Sequence, residues 1–586
     1  MKKVFTFPEF YCILAIFICF GLLYYGQVRI ENVFLQQDLS QKHPDEKPIT
    51  LPFAQKMDAG KYFHVTFVVS NPLNIPYDLN IVPDDCAESV TVNGSSISLK
   101  NYPGKCNFGK GFLFPHSVIS HFQKGSRTDF GILLMNKGGK GGINVLPKVH
   151  SFLPFFLKCA IPFFFGLLAL FVARRLKLGP FLLFCVLAGV ILRFAMFYAL
   201  PYNKFTQDVD GHLDYIQYIV NNHTLPDAKD CWSCYHPPVY YTATTPAFLL
   251  GGLLGYTSTS GAQAFSLALS IVLLLGGFIL LKDILSGASL GIAAILWTVW
   301  PSLLLVAPRI GNDQMFYAMH VLSLIAGFGY LKDGKGKKLI AAVLAAALAA
   351  WTKSTGYITV GLVFLISVFG YFRTNGLHRP SKTEIVGWIL LVFTLSGLAV
   401  EKALGGDLVS NATGINHRLK VGTEAWNFLY FDLKTFLTVP YTNPWENGLG
   451  REYFFNYAFK TSLFGEFKLT ETQFGRTLAT FVSLSFLGLV VFAVRGWWKT
   501  KMNIYHWMLL IQGIAFFAAL AYLRYKYPYA CSNDFRYIMP VLLSFIPYVG
   551  LGVYSENASV KWKVLGSITV AVFALCSVML MAKIFA

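Results

Sequence analysis

The sequence predicts a polytopic α-helical membrane protein of about 13 transmembrane helices with a β-sandwich inserted after the first of them. Three observations predict it. First, 55% of the 586 residues are hydrophobic and only 13% are charged, which leaves too little polar surface for a soluble chain of this length. Second, apolar runs of near-membrane length recur along most of the chain. Third, the formal net charge of +19 is gathered into short basic clusters between those runs, the pattern of positive-inside topology. No basic domain suited to nucleic acid is visible, so nucleic acid is excluded as a partner.

The first element, residues 1–29, holds an apolar run, 9–28, preceded by Lys2 and Lys3. No small-residue cleavage site follows it, so it is read as a membrane helix with its N-terminus in the cytoplasm. The next run, 152–173, ends in Arg174, Arg175 and Lys177, which places 30–150 outside. Residues 30–150 change character. His64–Ser70, Ser89–Val92 and Phe130–Met135 show β-branched or alternating patterning, separated by turn signals such as Asn93-Gly94 and Gly138–Gly142. These features predict an extracytoplasmic β-sandwich, which Cys86 and Cys106 would clip. Its last strands loosely resemble those of jelly-roll carbohydrate-binding modules; a cap without sugar affinity is the equal alternative.

Residues 151–586 form the transmembrane domain. Its runs lie at 152–173, 179–200, 263–281, 288–306, 314–331, 338–351, 354–371, 385–402, 474–494, 504–523, 538–554 and 563–582. Lys332, Lys335, Lys337, Lys338, Arg373, Arg495 and Lys499 then face the cytoplasm and the C-terminus lies outside. Residues 239–257 break the alternation and read as a re-entrant or juxtamembrane helix. External loops 201–238 and 403–473 are long, as functional loops often are.

Chemistry concentrates in those loops. Thr206–Tyr215 holds Asp208, Asp210, Asp214 and His212 just past a helix end. Carboxylates there suit proton abstraction or metal binding, although an Asp before a helix is also a plain N-cap. His236 precedes Pro237-Pro238 at a helix start, where anions bind. Asn312-Asp313 opens another helix, Lys353 sits in an outer turn, and Arg536 follows Asp534 ahead of Pro540; a guanidinium there suits bidentate phosphate binding. Cys231 and Cys234 are a local disulfide or two free thiols. No Walker loop, dinucleotide fingerprint or His-Glu-x-x-His is present.

In order, Asp208…His212…Tyr215, His236-Pro-Pro-Val-Tyr-Tyr, Asn312-Asp313, Leu348-Ala-Ala-Trp-Thr-Lys353-Ser-Thr-Gly and Arg536-Tyr537…Pro540 resemble the GT-C glycosyltransferase superfamily, in its protein O-mannosyltransferase-like and aminoarabinose-transferase-like branch. The resemblance covers roughly residues 175–550. It implies an inverting transfer of sugar from a polyprenyl-phosphate donor to an extracytoplasmic glycan, lipid or protein. Asp208 would be the general base, with Asp210 its rival, and Asp313 would organise the site. His236, Lys353 and Arg536 would hold the donor phosphate, although some relatives carry lysine where His236 stands. His212, Tyr215, Tyr240 and Asn312 would line the substrate, and Trp426 and Trp445 in the second loop would stack on sugar. No cofactor is implied except a divalent cation, left open, on Asp208, Asp210 and Asp313. The location implied is a bacterial inner membrane, with the site on its outer side. The alternatives are a lipid-diphosphate-dependent polysaccharide ligase or oligosaccharyltransferase and, from another class, a transporter or flippase.

Overall fold

The computed structural model describes residues 7–584 except 26–27, 38–45, 50, 52, 57, 101, 108–110, 124, 139, 151, 254–256, 376–378, 404–416 and 556–557. Lys2, Lys3 and the first part of the 403–473 loop lie outside the described residues. The chain divides into two compact units, Met1–Phe165 and Gly166–Ala586.

In the first unit, helix Phe7–Tyr25 precedes ten strands: β1 Arg29–Gln36, β2 Glu46–Pro48, β3 Phe53–Lys56, β4 Tyr62–Ser70, β5 Tyr77–Pro83, β6 Cys86–Val92, β7 Ser95–Ser98, β8 Phe112–Phe114, β9 Arg127–Met135 and β10 Lys140–Val149. They form one sheet in the order β2-β1-β4-β9-β6-β7 and another in the order β3-β10-β5-β8. Burial alternates along β4, with Phe63, Val65, Phe67 and Val69 inward, as a half-buried strand requires. These residues share one apolar cluster with Leu79, Ile81, Phe114 and Val145 of the other sheet. Phe67 lies opposite Phe130 in register, and the two rings stack 5.4 Å apart. Asn93 and Gly94 both have positive φ (45° and 82°) in the two-residue turn that joins β6 to β7, the primed-turn geometry of a tight hairpin. Cys86 and Cys106 form a disulfide across 20 positions.

The second unit is helical. Among the described residues of the chain, eight helices are long and apolar enough to cross a membrane: Pro180–Ala199, Ser258–Ile284, Asp313–Asp333, Gly356–Arg373, Gln473–Lys499, Ile504–Lys526, Ala530–Val553 and Val560–Ala582. The chain is therefore a multi-pass integral membrane protein. Two runs expected to be single helices are interrupted. The 288–306 run breaks at Trp300 into Gly287–Val299 and Pro301–Leu305, because Pro301 has no N–H to continue the ladder. The 538–554 run enters as a 3₁₀ turn, Phe535–Val541, before the α-helix Leu542–Val553.

The run read as re-entrant is a 15-residue helix, Val239–Leu253, shorter than a span needs. It packs closely on the next helix, Ser258–Ile284. A Cβ on Gly261 would run into the Ala247 carbonyl, so glycine there sets the approach of the two backbones. This contact carries Tyr240 and Tyr241 to the end of the bundle where the polar loops meet.

Residues 28–150 contain a complete apolar cluster of their own. Expressed alone in an oxidising compartment, they are expected to give a β-rich circular dichroism spectrum. Cys86→Ser with Cys106→Ser is expected to lower their stability by about 3 kcal/mol in denaturant titration, the loop-closure value for a ring of this size.

Candidate functional site

Four helix ends converge on one guanidinium. Arg536 Nη2 donates to Asp208 Oδ2 at 2.7 Å, Nε lies 2.9 Å from Asp534 Oδ2, and Nη1 lies 3.9 Å from Asp313 Oδ2. Lys353 Nζ forms a second ion pair with Asp313 Oδ1. Asp313, Lys353, Asp534 and Arg536 are buried, while the Asp208 side chain keeps 34% of its exposure. Asp208 is thus the member of the cluster that a molecule from outside can reach.

Local sequence explains how each group is held. Asp208 precedes helix Val209–Asn222 and has φ 58°, ψ 11°. In that left-handed conformation its carboxylate caps no helix N–H, contrary to the plain N-cap reading of an Asp at this position, and it pairs with Arg536 instead. The conformation costs about 1–2 kcal/mol in a non-glycine residue, and a neighbouring clamp supports it. Arg309 donates from Nη2 to the Gln207 carbonyl at 2.7 Å and from Nη1 to Gln207 Oε1 at 3.3 Å.

Asp313 opens the helix Asp313–Asp333 behind Asn312, where the N-terminal dipole favours a carboxylate. Asn312 Nδ2 donates to the Thr352 carbonyl at 3.2 Å, tying this helix start to the turn that carries Lys353. Arg536 is placed by Asp534, whose Oδ1 accepts from the Arg536 N–H at 3.1 Å. It is also placed by Tyr317, whose hydroxyl donates to the Arg536 carbonyl. The Tyr537 ring lies under both cations, 4.6 Å from Lys353 Nζ and 4.9 Å from the Arg536 guanidinium carbon.

An aromatic wall stands beside the charges. His212 Nδ1 is 2.8 Å from the Tyr241 hydroxyl, and the His212 ring stacks on His236 at 5.8 Å. Tyr215 stacks on Tyr241 at 3.8 Å. The Tyr240 hydroxyl accepts from the Gly311 N–H at 2.9 Å. The structure therefore brings together Asp208, His212, Tyr215, His236, Tyr240, Asn312, Asp313, Lys353 and Arg536. It leaves three expected residues apart. Asp210 is exposed one position into the helix and has no ion pair among the described residues. Trp426 is 61% exposed and stacks on Tyr430, and Trp445 is 58% exposed.

The electrostatics follow from burial and charge. Burial alone would raise the Asp208 carboxyl, but Arg536 and Arg309 outweigh it and hold the group below the ordinary carboxylate value. Burial lowers His212 to about 4, despite Asp208. It takes His236 well below its usual value, with His212 and Lys353 acting in the same direction. Both shifts favour the neutral imidazole, which carries one N–H donor and one acceptor nitrogen. Burial also lowers Lys353, opposed by Asp313. Among the described residues, no group of three or more His, Cys, Asp or Glu side chains is placed to hold a metal ion. Asp208 and Asp313 pair with Arg536 and Lys353, and Asp210 is exposed.

Two contributors were missed. Arg309 has no role in the sequence reading, since its backbone partner Gln207 lies 102 positions away. Glu466 is buried and accepts from the Tyr457 hydroxyl at 2.5 Å. Burial first, then the negative charge of Asp534, pushes it up to about 8. The available signal was a lone acid after Gly465, which has φ 63° at a helix end in an aromatic run.

No family model matches the chain, and no curated protein sequence matches it. Among solved structures, the chain is similar to the oligosaccharyltransferase AglB of Archaeoglobus fulgidus in complex with an inhibitory peptide and a dolichol-phosphate (13% identity, TM-score 0.41), over 69% of this chain and 55% of that one. It is also similar to the apo form of the A. fulgidus oligosaccharyltransferase (12% identity, TM-score 0.39), over the same shares. A third similarity is to the arabinosyltransferase EmbB of Mycobacterium smegmatis (12% identity, TM-score 0.29), over 98% of this chain and 64% of that one. The chain thus spans only 55% of the length of the oligosaccharyltransferases it matches.

Between the ordinary glutamate value of 4.5 and about 8, folded Glu466 keeps a proton that the unfolded chain has released. Its contribution to stability therefore falls as pH rises through that window. Glu466→Gln retains an acceptor for Tyr457 and removes the titration. The melting temperature of the variant in detergent, relative to wild type, is expected to rise steadily from about pH 5 to about pH 8.

Proposed function

We propose that this protein is an inverting glycosyltransferase that moves a sugar from a polyprenyl-phosphate donor to an acceptor hydroxyl on the outer side of a membrane. The observation that carries the reading is the accessible Asp208 carboxylate held at 2.7 Å by Arg536, beside the buried Lys353–Asp313 pair. A base that a hydroxyl can reach stands next to cations able to hold a phosphate. Transfer from a phosphate ester asks little more, because the leaving group is already good.

The steps balance on these residues. The acceptor oxygen attacks the anomeric carbon from the face opposite the phosphate, and its proton passes to Asp208. The carbon–oxygen bond to phosphate breaks with its electron pair on the phosphate oxygen. Arg536 and Lys353 hold the resulting charge, and neutral His236 supplies an N–H donor. Asp313 keeps Lys353 and Arg536 in place, while His212, Tyr215, Tyr240 and Asn312 line the approach. Trp426 and Trp445 lie on the loop 403–473, which would contact the acceptor farther out.

Sidedness follows from the charges. The helices that begin or end at the site carry Lys332, Arg373, Arg495 and Lys499 at or beyond their far ends, the ends that face a cytoplasm. That arrangement fits 13 spans in a bacterial inner membrane, with the strands of 30–150 on the outer side as a β-sandwich domain.

The test uses radiolabelled undecaprenyl-phosphate sugars and the purified protein in proteoliposomes. Asp208→Asn is expected to lower transfer by roughly 10²–10⁴-fold, the range for losing a general base. Asp210→Asn should stay within a few-fold of wild type, because its carboxylate stands outside the cluster. Wild-type turnover by Asp208→Asn would sink the assignment of the base. Turnover with a diphosphate-linked glycan and with no monophosphate donor would move the protein to the oligosaccharide-ligase reaction.

A further inference from the structure

The loop before His236 places an indole at the mouth of the site. Cys231 and Cys234 are joined by a disulfide. The turn they enclose is closed again by the Cys234 N–H on the Cys231 carbonyl at 3.2 Å, and the His236 N–H bonds the Ser233 carbonyl at 3.1 Å. Ser233 and Cys234 are buried, yet Trp232, between Cys231 and Ser233, is 61% exposed. The turn rests on Gly211: a Cβ there would meet Ser233 Oγ and lie 2.6 Å from Trp232 Cε3. Gly211 lies in the first turn of the helix that Asp208 precedes, where the His212 N–H bonds the Asp208 carbonyl at 3.1 Å. One edge of the indole is thus pinned on the turn that follows the accessible carboxylate, while most of the ring faces solvent.

The surroundings of Trp232 select an occupant. Asp210, Asp214 and Asp230 are all exposed. Asp210 precedes Gly211, and Asp214 lies one turn further along the same helix. Asp230 hydrogen-bonds Tyr218, a contact that pushes that phenol up and shows the loop running along the helix. Exposed carboxylates repel an anionic lipid surface and accept hydrogen bonds from hydroxyls. An exposed aromatic face with carboxylates on the helix and loop that carry it complements a sugar, whose polarised C–H face meets the negative π surface while its hydroxyls reach polar neighbours.

We propose that Trp232 is the floor of a carbohydrate subsite, presented rigidly by the Cys231–Cys234 turn, on which a neutral sugar ring of the acceptor stacks within reach of Asp208. That the stacked sugar is the acceptor rests on the glycosyl-transfer reading; that a sugar binds there does not.

The test uses the full-length chain in phosphatidylcholine nanodiscs, with saturation-transfer NMR on the methyl glycosides of glucose, galactose, mannose and arabinose. At least one glycoside is expected to receive saturation on its ring protons. Trp232→Leu keeps an apolar residue without the π face and is expected to weaken that binding roughly tenfold, the upper range for an aromatic contact. Trp232→Phe is expected to retain most of it, and Asp208→Asn to leave it in place. Because Trp232 is exposed, both variants at this position should elute and melt as wild type. Absence of binding by every glycoside, or binding indifferent to Trp232→Leu, overturns the subsite. Binding that depends on Trp232 in a protein that transfers no sugar from any polyprenyl-linked donor leaves the subsite standing and removes the acceptor role. Transfer lost in Asp208→Asn, with glycoside binding indifferent to Trp232, does the reverse.

Discussion

The site depends on the Arg536 guanidinium. Its three nitrogens reach three carboxylates that arrive from separate parts of the chain: Asp208 is 328 positions away, Asp313 opens another helix, and Asp534 precedes it locally. A buried guanidinium is tolerated only when its donors are answered. Arg is always charged; Nη2 hydrogen-bonds Asp208, and the charge of the guanidinium draws Asp534 and Asp313 into ion pairs. Lys353 adds a second cation on Asp313, and Arg309 a third beside Asp208. Three acids thus face three bases. Removing any one leaves an uncompensated charge in a buried setting, which costs about 3–5 kcal/mol when a buried pair is broken. The four segments that meet here are held to one another largely through this network.

The backbone cooperates with the charges. The left-handed conformation at Asp208 turns its carboxylate away from the helix it precedes, and the Arg309–Gln207 clamp supports that turn from the residue before. Asn312 performs a related task by joining the start of one helix to the Lys353 turn. The 3₁₀ geometry of Phe535–Val541 begins under the Asp534 cap and takes support from Thr461, whose hydroxyl accepts from the Phe535 N–H at 2.9 Å. The left-handed Asp208 and the 3₁₀ segment Phe535–Val541 thus both carry residues of the cluster, and irregular backbone of this kind concentrates at functional sites.

Much of this was legible because the chain is so apolar. In a sequence with 13% charged residues, acids and bases at the ends of hydrophobic runs stand out, and Asp208, Asp313, Lys353 and Arg536 were identified in that way. Apolar runs of near-membrane length located the helices, and β-branched stretches located parts of β4, β6 and β9. Pairing was not legible. Nothing local joins Asp313 to a lysine 40 positions on, or Arg309 to Gln207, because contacts between helices depend on how the bundle packs. The choice between Asp208 and Asp210 was equally hidden. It turns on a positive φ at a non-glycine residue, for which sequence carries only the weak preference of Asp for that region. Trp426 and Trp445 stood out as aromatics beside acids, but they sit on a loop away from the charge cluster. Trp232 stands inside a cysteine pair that reads from the sequence only as a local disulfide or two free thiols.

An acid held by two guanidinium groups is a weak base at rest, and a general base needs affinity for the proton it takes. In the proposed reaction the phosphate would resolve this conflict. Arg536 is the group that depresses Asp208 by pairing with it directly, and a guanidinium is also well formed to grip a phosphate in bidentate fashion. A donor phosphate that claimed part of the guanidinium would leave less positive potential on Asp208, so its proton affinity would rise as the acceptor hydroxyl became acidic. Neutral His236 would respond in the same direction, since an arriving anion favours its protonated form. Under that proposal the resting ion pair would keep the base ionised and positioned, and substrate binding would release it. The coupling would arise because one arginine served both partners of the proposed reaction.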